Sequence, residues 1–155
     1  MQLSEQIARH FREIYFGGNW TASNLKSNLE DVTWQQAITQ IYSLNTIGTL
    51  VYHINYYVNA NLKVLQGNPL DASDKFSFDS PPILSQKDWE NLREKTWADG
   101  EDFASLVEQL PDAIFFEPFT DGKYGNYYRN IIGIIEHAHY HLGQIALIKK
   151  ILSLR

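Results

Sequence analysis

The sequence predicts an all-α protein with the architecture of a four-helix bundle. The chain has 155 residues, of which 44% are hydrophobic and 14% aromatic, enough for one sizeable core but not for two. Four long segments carry apolar residues at helical spacing, and loops with glycine, proline or capping residues separate them. We therefore predict a single helical domain over residues 1–155.

The first two long helices are bounded by recognisable start and stop signals. Helix one begins at Leu3, carries an apolar residue every third or fourth position, and stops at Gly17. The connection that follows mixes capping residues with few apolar ones, and after it Thr33 can cap a run that begins at Trp34. Helix two is strongest from Thr46 to Leu65 and ends at a Gly-Asn-Pro sequence.

Helix three follows a long polar loop, from Asn68 to Pro82, which we expect to cross between helices two and three. Ser85 with Asp88 resembles an N-cap, and the apolar pattern continues from there until Pro111. These signals predict a long third helix.

The end of the chain combines an aromatic segment with a long helix. The stretch "IFFEPFTDGKYGN" contains an Asp-Gly pair and predicts a small β-hairpin or an ordered loop. Helix four is predicted over residues 127–152. It carries the cluster of histidines on which the prediction of function mainly depends.

Composition excludes several classes of function. The net charge is -5 and the charged residues are dispersed, so no basic face for nucleic acid is expected. No segment approaches the roughly 20 apolar residues of a membrane span, and we expect a soluble, cytoplasmic protein. The chain has no cysteine, which excludes disulfides and zinc-thiolate sites. Any thiol chemistry would need a thiol supplied by a ligand.

The segment "IEHAHYHLGQ" holds three of the five histidines of the chain. His137 and His141 are one helical turn apart and share a face, whereas His139 lies nearly opposite. Two imidazoles at this spacing suit a single divalent ion, and His53 on helix two is the best third ligand. Three neutral histidines would leave coordination positions open, as catalytic metal sites do.

A structural role for these histidines is the alternative. Five histidines produce some pair at this spacing by chance often enough that the spacing alone is weak evidence. His53 could instead be a buried side chain satisfied by a neighbouring tyrosine or asparagine. We expect His139 to be solvated or at an interface, and His10 to have a packing role.

The whole chain resembles the DinB-like family of four-helix-bundle proteins. The resemblance rests on the order of the helices, on "LVYHI" and "HAHYHLGQI", and on "GNWT" and "FFEPF" outside the histidine helices. It implies a long crossover loop between helices two and three and a metal site formed by His53, His137 and His141. Many relatives have an arginine at the position of Leu142. If the arginine has a functional role in those relatives, we do not expect that role in this chain.

The resemblance also implies a range of activities. Relatives include low-molecular-weight thiol transferases, a thiol-dependent isomerase and members without an assigned activity. We predict a zinc- or nickel-dependent enzyme that acts on a small molecule, with a low-molecular-weight thiol as a second cofactor. Tyr124 or Tyr128 would donate a proton, and Lys123 and Arg129 would flank the mouth of the site and bind the anionic thiol. A metal-dependent hydrolase and a non-catalytic metal-binding or interaction module are the alternatives.

Two further expectations concern the surroundings of the site and the assembly. We expect Gln144, or one of Tyr56, Tyr57 and Tyr124, to orient a metal ligand. Members of the family often pair through bundle helices, and the aromatic content exceeds what one small core needs, so a homodimer is expected.

Overall fold

The structure is a computed structural model that describes residues 2–154, and these residues form six α-helices and two 3-10 turns. The helices are α1 (Leu3–Phe16), α2 (Leu25–Leu29), α3 (Trp34–Ile38), α4 (Ile47–Leu65), α5 (Gln86–Glu108) and α6 (Tyr127–Leu152). The 3-10 turns are Asp74–Phe76 and Asp112–Phe116. Residues 2–154 contain no strand, and no helix among them is long and apolar enough to cross a membrane. The all-α prediction is confirmed.

Side-chain caps set the beginnings of the three longest helices. The hydroxyls of Thr46 and Ser85 each accept a hydrogen bond from the backbone N–H three residues on, and the side-chain oxygen of Asn126 does the same. Thr33 caps α3 in the same way, although that helix has only five residues. α1 ends at Gly17, where φ is 114°, a value that favours glycine. Local capping chemistry therefore explains where the predicted helices begin and end.

The four longest helices pack in a ring in which α1 contacts α5, α5 contacts α4, α4 contacts α6, and α6 contacts α1. α1 and α5 run antiparallel, because Phe11 packs on Phe103 whereas Tyr15, one turn later, packs on Trp97. α4 and α6 also run antiparallel, since the first turns of α4 lie beside the last turns of α6. Consequently the middle of α4 faces the middle of α6, where the histidines lie.

The segment between α4 and α5, residues 66–85, is a crossover loop that returns along α4. Near its middle, the carboxylate of Asp74 accepts a hydrogen bond of 2.6 Å from the hydroxyl of Tyr57. Near its end, Ile83 packs against Gly48 in the first turn of α4. The loop thus spans most of the length of α4 and lets α5 start at the same end, so that α4 and α5 run parallel.

The aromatic segment before α6 is an ordered loop rather than a β-hairpin. Its ends meet in a single isolated bridge between Pro118 and Asn126, with a series of turns between them. Phe119 is buried and packs edge-on against Tyr127 at the start of α6, with 5.1 Å between ring centroids. This packing holds the loop beside the N-terminal turns of α6.

The core also explains a glycine in the middle of α5. A Cβ atom on Gly100 would lie 2.6 Å from a ring carbon of Tyr15, which is fully buried. Glycine is unfavourable inside a helix by about 1 kcal/mol, but here it allows α1 and α5 to approach closely. The weak point that the sequence suggests in α5 is therefore a packing position.

Candidate metal centre

Three histidines from two antiparallel helices converge between α4 and α6. The Nε2 atom of His137 lies 3.0 Å from Nε2 of His53 and 3.1 Å from Nε2 of His141. One ligand atom from each of the three residues lies within 4.8 Å of the others, close enough to hold a single metal ion. His53 and His141 are buried, and His137 is partly buried. The predicted proximity of these three residues is confirmed.

In His53 and His141, a hydrogen bond at Nδ1 orients the ring so that the Nε2 lone pair points toward the other histidines. Nδ1 of His53 lies 3.1 Å from the carbonyl oxygen of Ser77, and Nδ1 of His141 lies 2.8 Å from Oε1 of Gln144. Carbonyl oxygens only accept hydrogen bonds, so each Nδ1 carries the proton and each Nε2 presents a lone pair. Support of this kind is typical of histidines that bind metals. Gln144, one of the four residues expected to orient a metal ligand, thus contacts one of the three histidines.

The donor set fits a divalent ion of intermediate softness. Two Nε2 lone pairs point at His137, whose own Nε2 can carry only one proton and can therefore satisfy only one of them. A cation among the three nitrogens satisfies all of them. Tetrahedral zinc with Zn–N distances of about 2.0–2.1 Å separates its nitrogen ligands by about 3.3 Å, a few tenths of an ångström more than the spacing here.

The surroundings of the histidines favour the neutral imidazoles that metal binding requires. Burial, together with the neighbouring His141 and His53, lowers the pKa of His137 to about 4. Burial also lowers the pKa of His53, against an opposing contribution from the Ser77 carbonyl. His137 therefore does not need to lose a proton when it binds a metal near neutral pH.

Aromatic side chains enclose the histidines on the side of the crossover loop. Phe78 stacks on His53 with 3.8 Å between ring centroids and an interplanar angle of 11°. Tyr57 meets His53 and His137 edge-on, with centroids 5.2 Å and 5.1 Å away. The Tyr57 hydroxyl is held by Asp74 of the same loop. These contacts restrict the ring of His53 to one orientation.

A cleft of about 580 Å³ opens beside His53 and His137. Lys123 and Arg129, which were expected to flank the mouth of the site, line it together with Tyr124. The Lys123 ammonium lies over the Tyr124 ring, 5.1 Å from its centroid. The cleft is large enough for a small organic molecule beside the histidines.

Tyr128, the other predicted proton donor, does not line this cleft. Its side chain is 45% exposed on the second residue of α6. Tyr124 is similarly exposed but belongs to the preceding loop, which folds over the cleft. The structure therefore places Tyr124 at the cleft and Tyr128 outside its lining, a difference that the sequence could not show.

Several residues of the site were not predicted. Asn61 and Asn130 line the cleft, and Asn61 lies two turns after His53 on the same face of α4, a spacing that could have revealed it. Ser77 and Phe78 come from the crossover loop, and no sequence pattern placed them beside His53.

The remaining histidines lie outside the centre. His139 is partly buried on another face of α6, and its Nε2 lies 3.5 Å from the hydroxyl of Thr21. His10 is exposed on α1, so the expected packing role is not observed. The candidate metal centre thus involves three of the five histidines.

Comparisons with known proteins give no assignment: no family model, curated protein or solved structure matches this chain. The geometry of the histidines and of their cleft is therefore what indicates a function for this chain.

Proposed function

We propose that this chain is a DinB-like four-helix-bundle protein that binds zinc or nickel through His53, His137 and His141. The observation that carries the proposal is the convergence of three Nε2 atoms, two of them oriented by hydrogen bonds at Nδ1. The ring of four long helices and the crossover loop support the bundle architecture.

Metal analysis of protein purified without an affinity tag tests this binding. We expect about one equivalent of a divalent metal after reconstitution, and a large loss in the His137→Ala variant. His139→Ala is the matched control, because it removes an imidazole from the same helix outside the site. Less than about a tenth of an equivalent of any divalent metal, in isolated and in reconstituted protein, would overturn the proposal.

We further propose that the site catalyses the transfer of a low-molecular-weight thiol to an electrophilic small molecule. A divalent ion held by three imidazoles lowers the pKa of a bound thiol or water toward neutrality. Lys123 and Arg129 at the cleft would bind anionic groups of the thiol compound. The Tyr124 hydroxyl, at the same cleft, would donate a proton to the developing anion of the leaving group. The supplied sulfur forms the new C–S bond, and the leaving group departs with the bonding electron pair.

A conjugation assay separates catalysis from metal binding alone. Glutathione, bacillithiol and mycothiol are each offered with monochlorobimane to metal-loaded protein and to the His141→Ala variant. We expect one thiol to react well above the uncatalysed rate, with the excess lost in the variant. Equal rates in both proteins for every thiol would contradict thiol transfer. Activity on simple esters or amides would then indicate a hydrolase, and inactivity on all substrates a binding module.

We also propose that the protein forms a homodimer through the outer face of α6. Tyr140 and Leu147, two turns apart on this helix, are 66% and 57% exposed. Light scattering at low micromolar concentration tests the proposal. A mass near 17.9 kDa, that of one chain, would contradict it.

A further inference from the structure

A second cavity, of about 450 Å³, lies between α4, α5 and the crossover loop. It shares no lining residue with the metal cleft. The helical period explains the separation: His53 and Tyr57 point to one side of α4, whereas Tyr52, Tyr56 and Asn59 point to the other. We call this second space the α4–α5 cavity.

Flat and apolar side chains form much of its wall. They come from all three elements around the cavity and include Tyr52, Tyr56, Pro81, Pro82, Ile83 and Leu92. Tyr56 is held in place, because its hydroxyl donates to the Ser73 carbonyl at 3.1 Å and accepts from the Ser73 N–H at 2.9 Å. Rigid rings and prolines of this kind suit a planar ligand.

The charged residues that line the cavity have no net charge that a ligand would need to neutralise. Lys95 donates to the carboxylate of Asp99 at 2.8 Å, and Asp88 accepts hydrogen bonds at the N-terminus of α5. The other two charged residues of the lining, Lys63 and Asp71, have opposite signs. An uncharged ligand is therefore favoured over an ionic one.

Asparagine side chains provide the polar contacts, and Asn55, Asn59 and Asn91 line the cavity. Nδ2 of Asn59 lies 3.2 Å from Oδ2 of Asp99, so this nitrogen is the donor and Oδ1 remains as a hydrogen-bond acceptor. An N–H group of a ligand can pair with this oxygen. Asn91 is exposed and lies eight residues before Asp99, roughly 12 Å along α5, so it does not share a ligand edge with Asn59.

We propose that the α4–α5 cavity binds an uncharged planar heterocycle with an amide-like edge, such as a lactam. The ring lies against the tyrosine and proline walls, and its N–H group pairs with Oδ1 of Asn59. This site is independent of the metal centre and of the proposed reaction there.

The test uses a matched pair of probes, 2-pyridone and N-methyl-2-pyridone, which differ in the N–H donor. Binding is followed by ¹H–¹⁵N NMR of the side-chain amides of Asn59 and Asn91, with metal-free protein. We expect saturable shifts of these signals with 2-pyridone, and binding at least about tenfold weaker for the methylated probe, as for loss of one buried hydrogen bond.

Two variants complete the experiment. Asn59→Ala removes the acceptor, while Asp99 keeps its hydrogen bonds from Asn55 and Lys95, and it should weaken 2-pyridone binding several-fold without weakening that of N-methyl-2-pyridone. His10→Ala, at an exposed position of α1 that does not line the cavity, should leave 2-pyridone binding unchanged. The proposal is overturned by the absence of saturable shifts up to about 10 mM, by shifts confined to the metal cleft, or by equal binding of both probes.

Discussion

The two sides of α4 carry different chemistry although they belong to one helix. On the side facing α6, buried imidazoles point at one another, and the pKa of His137 is lowered to about 4. On the side facing α5, the polar groups are amides, and the charges are paired or balanced. The difference shows that each face of α4, together with the helix packed against it, forms chemically distinct surroundings.

The crossover loop belongs to both regions. Ser77 and Phe78 contact His53 on the metal side, whereas Pro81 and Pro82 line the α4–α5 cavity. Tyrosine hydroxyls from α4 hold the loop at residues 73 and 74. The loop is therefore the element through which one region would influence the other.

The largest effect should come from His137→Ala. This change removes the histidine whose Nε2 lies between the other two, and we expect metal affinity to fall at least about 100-fold. Helical content should be retained because the buried apolar stripes supply most of the stability. Circular dichroism and metal titration measure both quantities, and 2-pyridone binding should be unchanged. A loss of both binding activities would mean that the two regions are not independent.

A smaller effect is expected from Gln144→Ala, which removes the acceptor at Nδ1 of His141. We expect metal affinity to fall by about 10- to 100-fold, because the ring loses its orienting hydrogen bond. Gln144→Glu keeps an acceptor at this position and should bind metal at least as tightly as the unmodified protein. Competition with a chromogenic chelator gives the two affinities. Equal affinities in the alanine and glutamate variants would exclude an orienting role.

The histidines between α4 and α6 should also make the stability of the metal-free protein depend on pH. The pKa of His137 is about 4 in the folded state and near 6.5 when unfolded, so between these values the unfolded state binds more protons. The free energy of unfolding should therefore fall as pH decreases from about 6.5 to about 4, with a slope of at most about one proton. Urea denaturation at pH 7, 6 and 5 measures the slope. It should be smaller in His137→Ala, and an equal slope there would assign the effect to other groups.

The smallest effect is expected from His139→Ala. His139 lies two residues from both ligands of α6, but its only side-chain contact of hydrogen-bonding length among residues 2–154 is with Thr21, at 3.5 Å. Metal affinity should stay within about twofold of the unmodified protein, as expected for a change outside the site. Isothermal titration provides the comparison. A tenfold loss would show that the metal centre extends beyond its three ligands.

Local sequence determined the helices and part of the metal site. Apolar periodicity and the capping residues Thr46 and Ser85 depend only on neighbours within a turn or two, and the structure has these helix starts as predicted. The spacing of His137 and His141 places both on one face of any helix that contains them. The position of His53 on helix two made it the best third ligand, and the structure confirms that it lies beside the other two.

Tertiary structure decided what surrounds these residues. The backbone carbonyl of Ser77 orients His53. Every residue has a backbone carbonyl, so the type of residue at position 77 could not have predicted this contact. Tyr124 and Tyr128 are nearly adjacent in the sequence, yet only the path of the loop before α6 places Tyr124 at the cleft. The α4–α5 cavity exists because the crossover loop returns along α4 and makes α5 parallel to it. Such features depend on contacts between distant segments, whereas a sequence pattern reports mainly the contacts within one segment.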